Sequence, residues 1–193
     1  MKQIVFLVEE RSMKEFLNTW VTRTYPEVEF GCISHEGKRD LLKSIPRKLK
    51  AWRTPGVRFV VIIDNDNRDC KELKAQLLEL CRTSGRDDTI VRIACQELEA
   101  WYLGDLEALS VAFGDNKLRD LSRKKPFHIP DKINKPSNQF SRLVPQYQKI
   151  SGARVIASHI DRVRNKSTSF KIFANSIDQI ASSFQKPGSN GHV

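Results

Sequence analysis

The chain has 193 residues, with 33 Lys and Arg against 23 Asp and Glu, which gives a formal net charge of +10. A hydrophobic content of 39% argues against an intrinsically disordered chain. The longest strongly apolar run, residues 59–63, is far too short to span a membrane. The length favours one domain with an elaboration over two full domains.

The charge is distributed unevenly along the chain. Residues 1–110 carry 18 basic and 18 acidic side chains, whereas residues 111–193 carry 15 basic and only 5 acidic ones. The entire net charge therefore lies in the last 83 residues, which favours a polyanionic partner such as nucleic acid. A basic, solvated surface without a partner is the alternative, and charge alone does not decide between the two.

Cysteine usage and the N-terminus indicate the compartment. Cys32, Cys70, Cys81 and Cys95 are widely and unequally spaced, which favours reduced thiols over a zinc site or a disulfide framework. The apolar run at residues 4–8 is too short for the core of a signal peptide. We therefore expect a cytoplasmic protein without a membrane segment.

Strand and helix patterns alternate along the first hundred residues. Strands are predicted at residues 3–8, 28–34, 58–63 and 89–95, and helices at residues 13–24, 41–52, 69–83 and 98–113. Ser12, with Glu15 three residues later, has the spacing of a capping box before the first helix. Pro46 predicts a break in the second helix. The alternation predicts an α/β fold with a mainly parallel sheet flanked by helices.

The pattern changes after residue 113. Four prolines within residues 126–145 predict an irregular basic connection, followed by amphipathic helices at residues 153–163 and 168–184. We divide the chain into an α/β domain (1–113), a basic and mostly helical C-terminal extension (114–185) and a disordered tail (186–193).

Acidic residues follow three of the predicted strands. They are Glu9 and Glu10, Asp64 and Asp66, and Glu97 and Glu99. The C-terminal ends of parallel strands meet at one edge of the sheet, where ligands bind in open α/β folds. Carboxylates gathered there repel one another unless a cation neutralises them, and Mg²⁺ prefers such oxygen ligands. The sequence therefore predicts a metal site at this edge.

Each acidic cluster also has a purely structural interpretation. An Asp after a strand often forms a turn or caps a helix, and Asp69 fits the cap of the third helix. Glu97 and Glu99 fit the first turn of a helix, where acidic side chains complement the helix dipole. The three clusters together favour a metal site, because buried like charges need a partner.

Two segments carry a resemblance to a known family. Phe6–Glu9, followed by Val60–Asp66, resembles the Toprim signature, which is a glutamate after the first strand and an Asp-x-Asp after the third. Toprim domains occur in topoisomerases, bacterial primases and OLD-type nucleases, where these acids bind Mg²⁺ for phosphodiester chemistry. The resemblance thus implies a Toprim-like sheet in this chain.

A more specific resemblance extends over most of the chain, to about residue 184. Ile93–Asp105, together with Tyr147–Lys149 and Ser167–Phe170, is similar to small bacterial Toprim-like proteins classed as a domain of unknown function (number 4276). Such proteins are often encoded beside ABC-type ATPases in defence cassettes. That family usually has glycine directly after its glutamate, where this chain has Glu10.

The resemblance implies roles for individual residues. Asp64 and Asp66 would hold Mg²⁺ (or Mn²⁺), and Glu9 would act as general base, general acid or a further ligand. Glu97 and Glu99 would complete a second metal position. Lys149 would neutralise phosphoryl charge, although a plain surface lysine is the alternative.

Basic side chains supply candidate contacts to nucleic acid. The predicted second helix and the residues after it hold a basic run, and a second group lies in the extension. The candidates are Lys43, Arg47, Lys48, Lys50 and Arg53 in the first group and Arg123, Lys124 and Lys125 in the second. The alternative for the first group is a solvated helix.

Three functional hypotheses follow. The first is a Mg²⁺-dependent nuclease for DNA or RNA, the effector subunit of an ATPase-coupled antiviral defence system in bacteria. The second is a catalytically inactive Toprim-like subunit that binds nucleic acid or regulates the ATPase, with Glu10 marking the lost chemistry. The third, a phosphoacceptor receiver domain, fits poorly because it needs a single Asp after the third strand.

Overall fold

The sheet has four strands, all parallel, in the order β2-β1-β3-β4. The computed structural model describes residues 2–185. The strands are β1 (Gln3–Val8), β2 (Phe30–Ser34), β3 (Val57–Asp64) and β4 (Ile90–Ala94). A parallel sheet flanked by helices confirms the predicted fold class.

Nine α-helices surround this sheet in the described part of the chain. They are α1 (Arg11–Thr24), α2 (Lys38–Ala51), α3 (Cys70–Thr83), α4 (Leu98–Leu103), α5 (Leu106–Phe113), α6 (Asn116–Asp120), α7 (Pro136–Leu143), α8 (Lys149–His159) and α9 (Thr168–Gln185). Short 3-10 turns connect α6 to α7 at Leu121–Arg123, Lys125–His128 and Pro130–Lys132. Within residues 2–185, no helix is long and apolar enough to cross a membrane.

The sheet is buried on both faces. Successive strand residues point to opposite faces, so Phe6 and Val8 enter one core while Val5 and Leu7 enter the other. Helices α2 and α3 cover the smaller core, and α1 with α4–α9 covers the larger one. Burial on both sides explains why the strands are continuous apolar runs.

The C-terminal helices complete the larger core. Phe173 of α9 stacks on Trp101 of α4, with ring centroids 5.1 Å apart and planes inclined by 17°. The same ring lies 5.4 Å from Trp20 of α1. The basic extension therefore shares its apolar interior with the residues that build the sheet.

The prediction of a single helix over residues 98–113 is wrong, because α4 ends at Leu103 and α5 begins at Leu106. Asp105 caps α5 by accepting a hydrogen bond from Ala108 N, and it also pairs with Arg164. A Cβ on Gly104 would lie 2.1 Å from Asn165 Oδ1. Contacts with the chain beyond α8 thus break a helix that local periodicity predicts as continuous.

Two local predictions about helices α1 and α2 are also wrong. Helix α2 continues through Pro46. The lost hydrogen bond is offset by burial of Leu41, Ile45 and Leu49 against the sheet. Helix α1 begins at Arg11, so Ser12 is not its cap, and its N-cap residue makes no capping side-chain hydrogen bond.

The extension is more regular than predicted. Residues 126–145 contain α7, which begins at Pro136, since the fixed φ of proline suits the first helical turn. Helix α8 covers Lys149–His159 rather than 153–163, and Val163 lies outside it with 80% of its surface exposed. The prediction of a final helix over residues 168–184 is confirmed by α9. The tail predicted as disordered lies outside the described residues.

Candidate functional site

Four acidic side chains line one small cavity at the C-terminal edge of the sheet: Glu10 at its rim, and three others from three segments. Glu9 follows β1, Asp64 ends β3, and Glu99 lies in the first turn of α4. Strands β1 and β3 are neighbours, which brings the first two together. The cavity volume is about 10 Å³, enough for one water molecule or ion.

The cavity is crowded with negative charge. Burial, followed by the charges of Glu9 and Glu99, holds the pKa of Asp64 well above its usual range. Burial also raises the pKa of Glu9 and of Glu99, although Lys38 opposes the shift at Glu9. The Oε2 atom of Glu9 is buried and has no hydrogen-bond partner among the described residues. Such a group is stabilised by a cation.

A buried asparagine fixes the two acidic loops relative to each other. Asn65, next to Asp64, donates from Nδ2 to Arg68 O at 2.7 Å and accepts from Gln96 N through Oδ1. The backbone N–H of Asp66 donates to Gln96 O at 3.2 Å. The turn after β3 is therefore hydrogen-bonded to the turn after β4.

Two of the predicted ligands point elsewhere. Asp66 adopts a left-handed backbone (φ 47°), and its carboxylate pairs with Lys38 of α2. Glu97 accepts a hydrogen bond from Ser137 N at 2.7 Å, in the first turn of α7. The structure thus brings Glu9, Asp64 and Glu99 together, and it engages Asp66 and Glu97 with other partners.

Asp69 has the structural role that its position predicts. Its carboxylate accepts hydrogen bonds from Lys71 N and Glu72 N at 2.8 and 2.9 Å, which confirms it as the cap of α3. Those backbone bonds lower the pKa of Asp69. It therefore provides a nearby acidic residue whose function is purely structural.

An ion pair closes the rim of the cavity. Lys149 Nζ, at the start of α8, lies 2.6 Å from Glu10 Oε2, and Ser12 Oγ donates to the same oxygen. Burial opposes the charge of the lysine, but the hydrogen bond and charge of Glu10 outweigh this effect and raise the pKa of Lys149. Lys149 thus lines the cavity, and Glu10 neutralises it.

The structure adds residues to which the motifs assign no role. Tyr147 packs edge-on to Tyr102, with ring centroids 6.4 Å apart, and both rings adjoin Glu99. A Cβ on Gly152 would lie 2.4 Å from the Tyr147 ring, so glycine is required there. The sequence signal for these contacts is weak, because residues 102, 147 and 152 lie far apart or on different elements.

The predicted nucleic-acid contacts are mostly exposed. The first group lies along α2, except Arg53, which comes just after it. The second group, at residues 123–125, lies on the 3-10 turns. A groove of about 590 Å³ runs between α2 and α3, lined by Lys38, Arg39, Lys43 and Arg68 over an apolar floor. Because Lys38 also pairs with Asp66, this basic groove opens beside the acidic loop.

No group of three or more His, Cys, Asp or Glu side chains is arranged to hold a metal ion within residues 2–185. Mg²⁺ is commonly held by only one or two carboxylates together with water and substrate phosphates. The donors of the cavity are carboxylate oxygens, and one of them is buried without a partner. The residues present therefore fit a hard dication completed by substrate.

Known structures share this fold. The C-terminal region of the Burkholderia pseudomallei OLD protein aligns with a TM-score of 0.59 and 14% identity, over 93% of this chain and 97% of that one. The C-terminal region of the Xanthomonas campestris pv. campestris OLD protein aligns with a TM-score of 0.54 and 14% identity, over 96% and 99%. At this identity the likeness establishes the fold.

The comparison of sequences establishes the family. No curated protein sequence matches the chain significantly. The profile of a family described as a domain of unknown function (DUF4276) matches residues 8–178, which confirms the resemblance drawn from the motifs. The chain therefore belongs to the DUF4276 family.

Proposed function

We propose that the protein is a Mg²⁺-dependent nuclease that hydrolyses phosphodiester bonds of DNA or RNA. The observation that carries this proposal is the meeting of Glu9, Asp64 and Glu99 in one ion-sized cavity at the C-terminal edge of a parallel sheet. Family membership and the fold shared with OLD C-terminal regions support it, because the motifs resemble those of Toprim nucleases.

The cavity residues divide the chemistry between them. Asp64, with Glu9 or Glu99, would hold Mg²⁺ or Mn²⁺. When bound, such an ion polarises the phosphate and stabilises the leaving oxygen. The raised pKa of Glu9 suits a group that accepts a proton from the attacking water. Asp66 would join as a ligand after rotating away from Lys38.

Substrate would approach along the basic groove. Its lysine and arginine side chains match a phosphate backbone, and its mouth lies beside Asp66. The exposed basic side chains further along α2 would extend the contact.

Removing basic side chains from α2 should weaken binding and its salt dependence. We expect the triple variant Lys43→Ala, Arg47→Ala, Lys50→Ala to reduce the slope of log Kd against log salt by up to about 3, since each lost phosphate contact removes roughly one counterion. Fluorescence anisotropy with labelled DNA and RNA at several salt concentrations measures this slope.

A control with equal charge loss separates binding from net charge. Arg82, Arg119 and Arg154 are each paired with a glutamate on other surfaces. The variant with all three changed to alanine should keep a slope close to that of the wild type. Equal slopes for the wild type and the α2 variant would contradict the proposed path.

Because Glu10 holds Lys149 in an ion pair, the removal of Glu10 should raise the rate of cleavage. We expect Glu10→Gly to raise the rate of Mg²⁺-dependent cleavage several-fold, because the freed ammonium group can then face a phosphate. Glycine is also tolerated at this extended N-cap position. Single-turnover cleavage of DNA, RNA and tRNA, with and without EDTA, provides the measurement.

Glu15→Gln is the matched control for this prediction. Glu15 pairs with Arg154, so it also joins α1 to α8, at 2.8 Å, but it does not line the cavity. Cleavage by this variant should equal that of the wild type. If wild type and Glu10→Gly are both inert with Mg²⁺ or Mn²⁺ and an ATPase partner, the regulatory-subunit hypothesis replaces the nuclease. The Glu10–Lys149 pair is the observation that favours that alternative.

We infer that the protein works with an ABC-type ATPase in the cytoplasm, as part of a bacterial defence system. In the structures that share its fold, this region is the C-terminal part of a longer OLD protein, and it covers nearly the whole of each matched region. The resemblance of its motifs to proteins that are often encoded beside ABC-type ATPases supports this inference. Co-purification with the ATPase tests this inference.

A further inference from the structure

A pair of cysteines lies at the same edge of the sheet as the acidic loops. Cys70 is the first residue of α3, and Cys95 directly follows β4. Their Sγ atoms are 3.8 Å apart, whereas a disulfide bond is about 2.05 Å long. The two sulfur atoms are therefore in contact but not bonded.

The surrounding contacts hold both cysteines near this geometry. Cys95 N donates to Ser169 Oγ at 3.3 Å, which anchors one side of the pair. Asp69, directly before Cys70, caps α3 and anchors the other. The other two cysteines, Cys32 and Cys81, have no such thiol neighbour within the described residues.

An oxidant can reach the two sulfur atoms. Both cysteines are partly exposed, and they line a cavity of about 210 Å³. Lys71, Lys74 and Arg92 line the same cavity, with Asp131 as the acidic side chain facing them. This net positive rim attracts small anionic oxidants.

We propose that Cys70 and Cys95 form a reversible disulfide when an anionic low-molecular-weight disulfide, such as that of a glutathione-type thiol, reaches this cavity. One cysteine thiolate attacks the oxidant and displaces one small thiol. The second cysteine thiolate then attacks the resulting mixed disulfide and displaces the other. Two protein thiols lose two protons and two electrons, and the oxidant is reduced to two thiols.

The cross-link would tie together the two loops that carry the acidic residues. It lies four residues after Asp66 and two residues before Glu97 in the chain. Oxidation would therefore hold the turn after β3 against the turn after β4. The inference goes beyond the proposed nuclease activity and does not depend on it, because it rests on the two sulfur positions alone.

Thiol mapping tests the proposal directly. The folded protein is titrated with oxidised and reduced glutathione, the remaining thiols are alkylated after acid quenching and unfolding, and peptides are identified by mass spectrometry. We expect the loss of two of the four alkylatable thiols, a peptide pair linked through Cys70 and Cys95, and full recovery on reduction. In Cys70→Ser, none of the three remaining thiols should be lost to an internal disulfide.

Other outcomes would overturn the proposal. They are four free thiols in the oxidised sample, a stable mixed disulfide with glutathione at Cys70, or a linkage that involves Cys32 or Cys81. The wild-type result alone decides between these outcomes, so the test holds even if Cys70→Ser folds poorly. Nuclease activity is not part of the readout, so failure here is distinct from failure of the proposed function.

Discussion

Changing Asp64 to asparagine is expected to reduce Mg²⁺-dependent cleavage at least about 100-fold while the protein stays folded. The amide keeps the shape of the side chain but removes the charge that would hold the dication. Asp64 lines the cavity together with Glu9 and Glu99, whose charges act on it. Single-turnover cleavage with saturating metal measures the loss.

The stability of the same variant distinguishes a metal ligand from a structural aspartate. Asp64 is held in a site where burial and like charges oppose ionisation. Its replacement by a neutral group should therefore leave the free energy of unfolding without metal unchanged or raise it. Chemical denaturation in EDTA measures that free energy.

Asp69→Ala provides the contrasting control. Loss of the α3 cap should lower stability by about 1 kcal/mol and leave cleavage intact, because within residues 2–185 this carboxylate accepts its hydrogen bonds from backbone N–H groups of its own helix. If Asp64→Asn cleaves normally, or if it loses stability as Asp69→Ala does, the metal-site assignment is wrong.

Changing Phe173 to alanine should destabilise the protein by about 3–5 kcal/mol. The side chain is fully buried and contacts Trp101, Trp20 and Phe6 from three different elements. A cavity opened there would be walled by rigid rings that cannot collapse to fill it. Urea denaturation followed by tryptophan fluorescence measures the change.

Val163→Ala is the surface control, and its effect should stay within about 0.5 kcal/mol because the residue is exposed. Similar losses for both variants would show that α9 is not part of the core.

The same packing predicts that a chain cut after residue 113 loses cooperative folding, since the larger core then lacks its C-terminal wall.

The sheet and the acidic residues of the cavity could be predicted from sequence because both depend on local patterns. Continuous apolar runs mark strands buried on both faces, and parallel strands end at one edge. Acidic residues directly after β1 and β3 therefore had to lie close together. Glu99 followed from its place just after β4.

The remaining site features depend on contacts between distant segments. Lys149 and Glu10 are 139 residues apart, and no periodicity predicts their ion pair. Asp66 turns toward Lys38 because its backbone is left-handed, which an Asp-Asn-Asp sequence does not specify. Glu97 accepts from the N-terminus of α7, a helix hidden by the surrounding prolines.

The predicted single helix over residues 98–113 was wrong for the same reason. The division between α4 and α5 is set by Asn165 packing on Gly104 and by Arg164 pairing with Asp105. Both partners lie about sixty residues further along the chain. Tertiary contacts thus override local helix propensity at this point.

Binding of the metal alone tests the assignment of Asp64 as a metal ligand. Titration of the protein with Mn²⁺, followed by electron paramagnetic resonance, measures bound metal without substrate or ATPase, and Mg²⁺ serves as competitor. We expect saturable binding by the wild type and by Asp69→Ala, displacement by Mg²⁺, and at least about tenfold weaker binding by Asp64→Asn. Equal binding by wild type and Asp64→Asn would contradict this assignment.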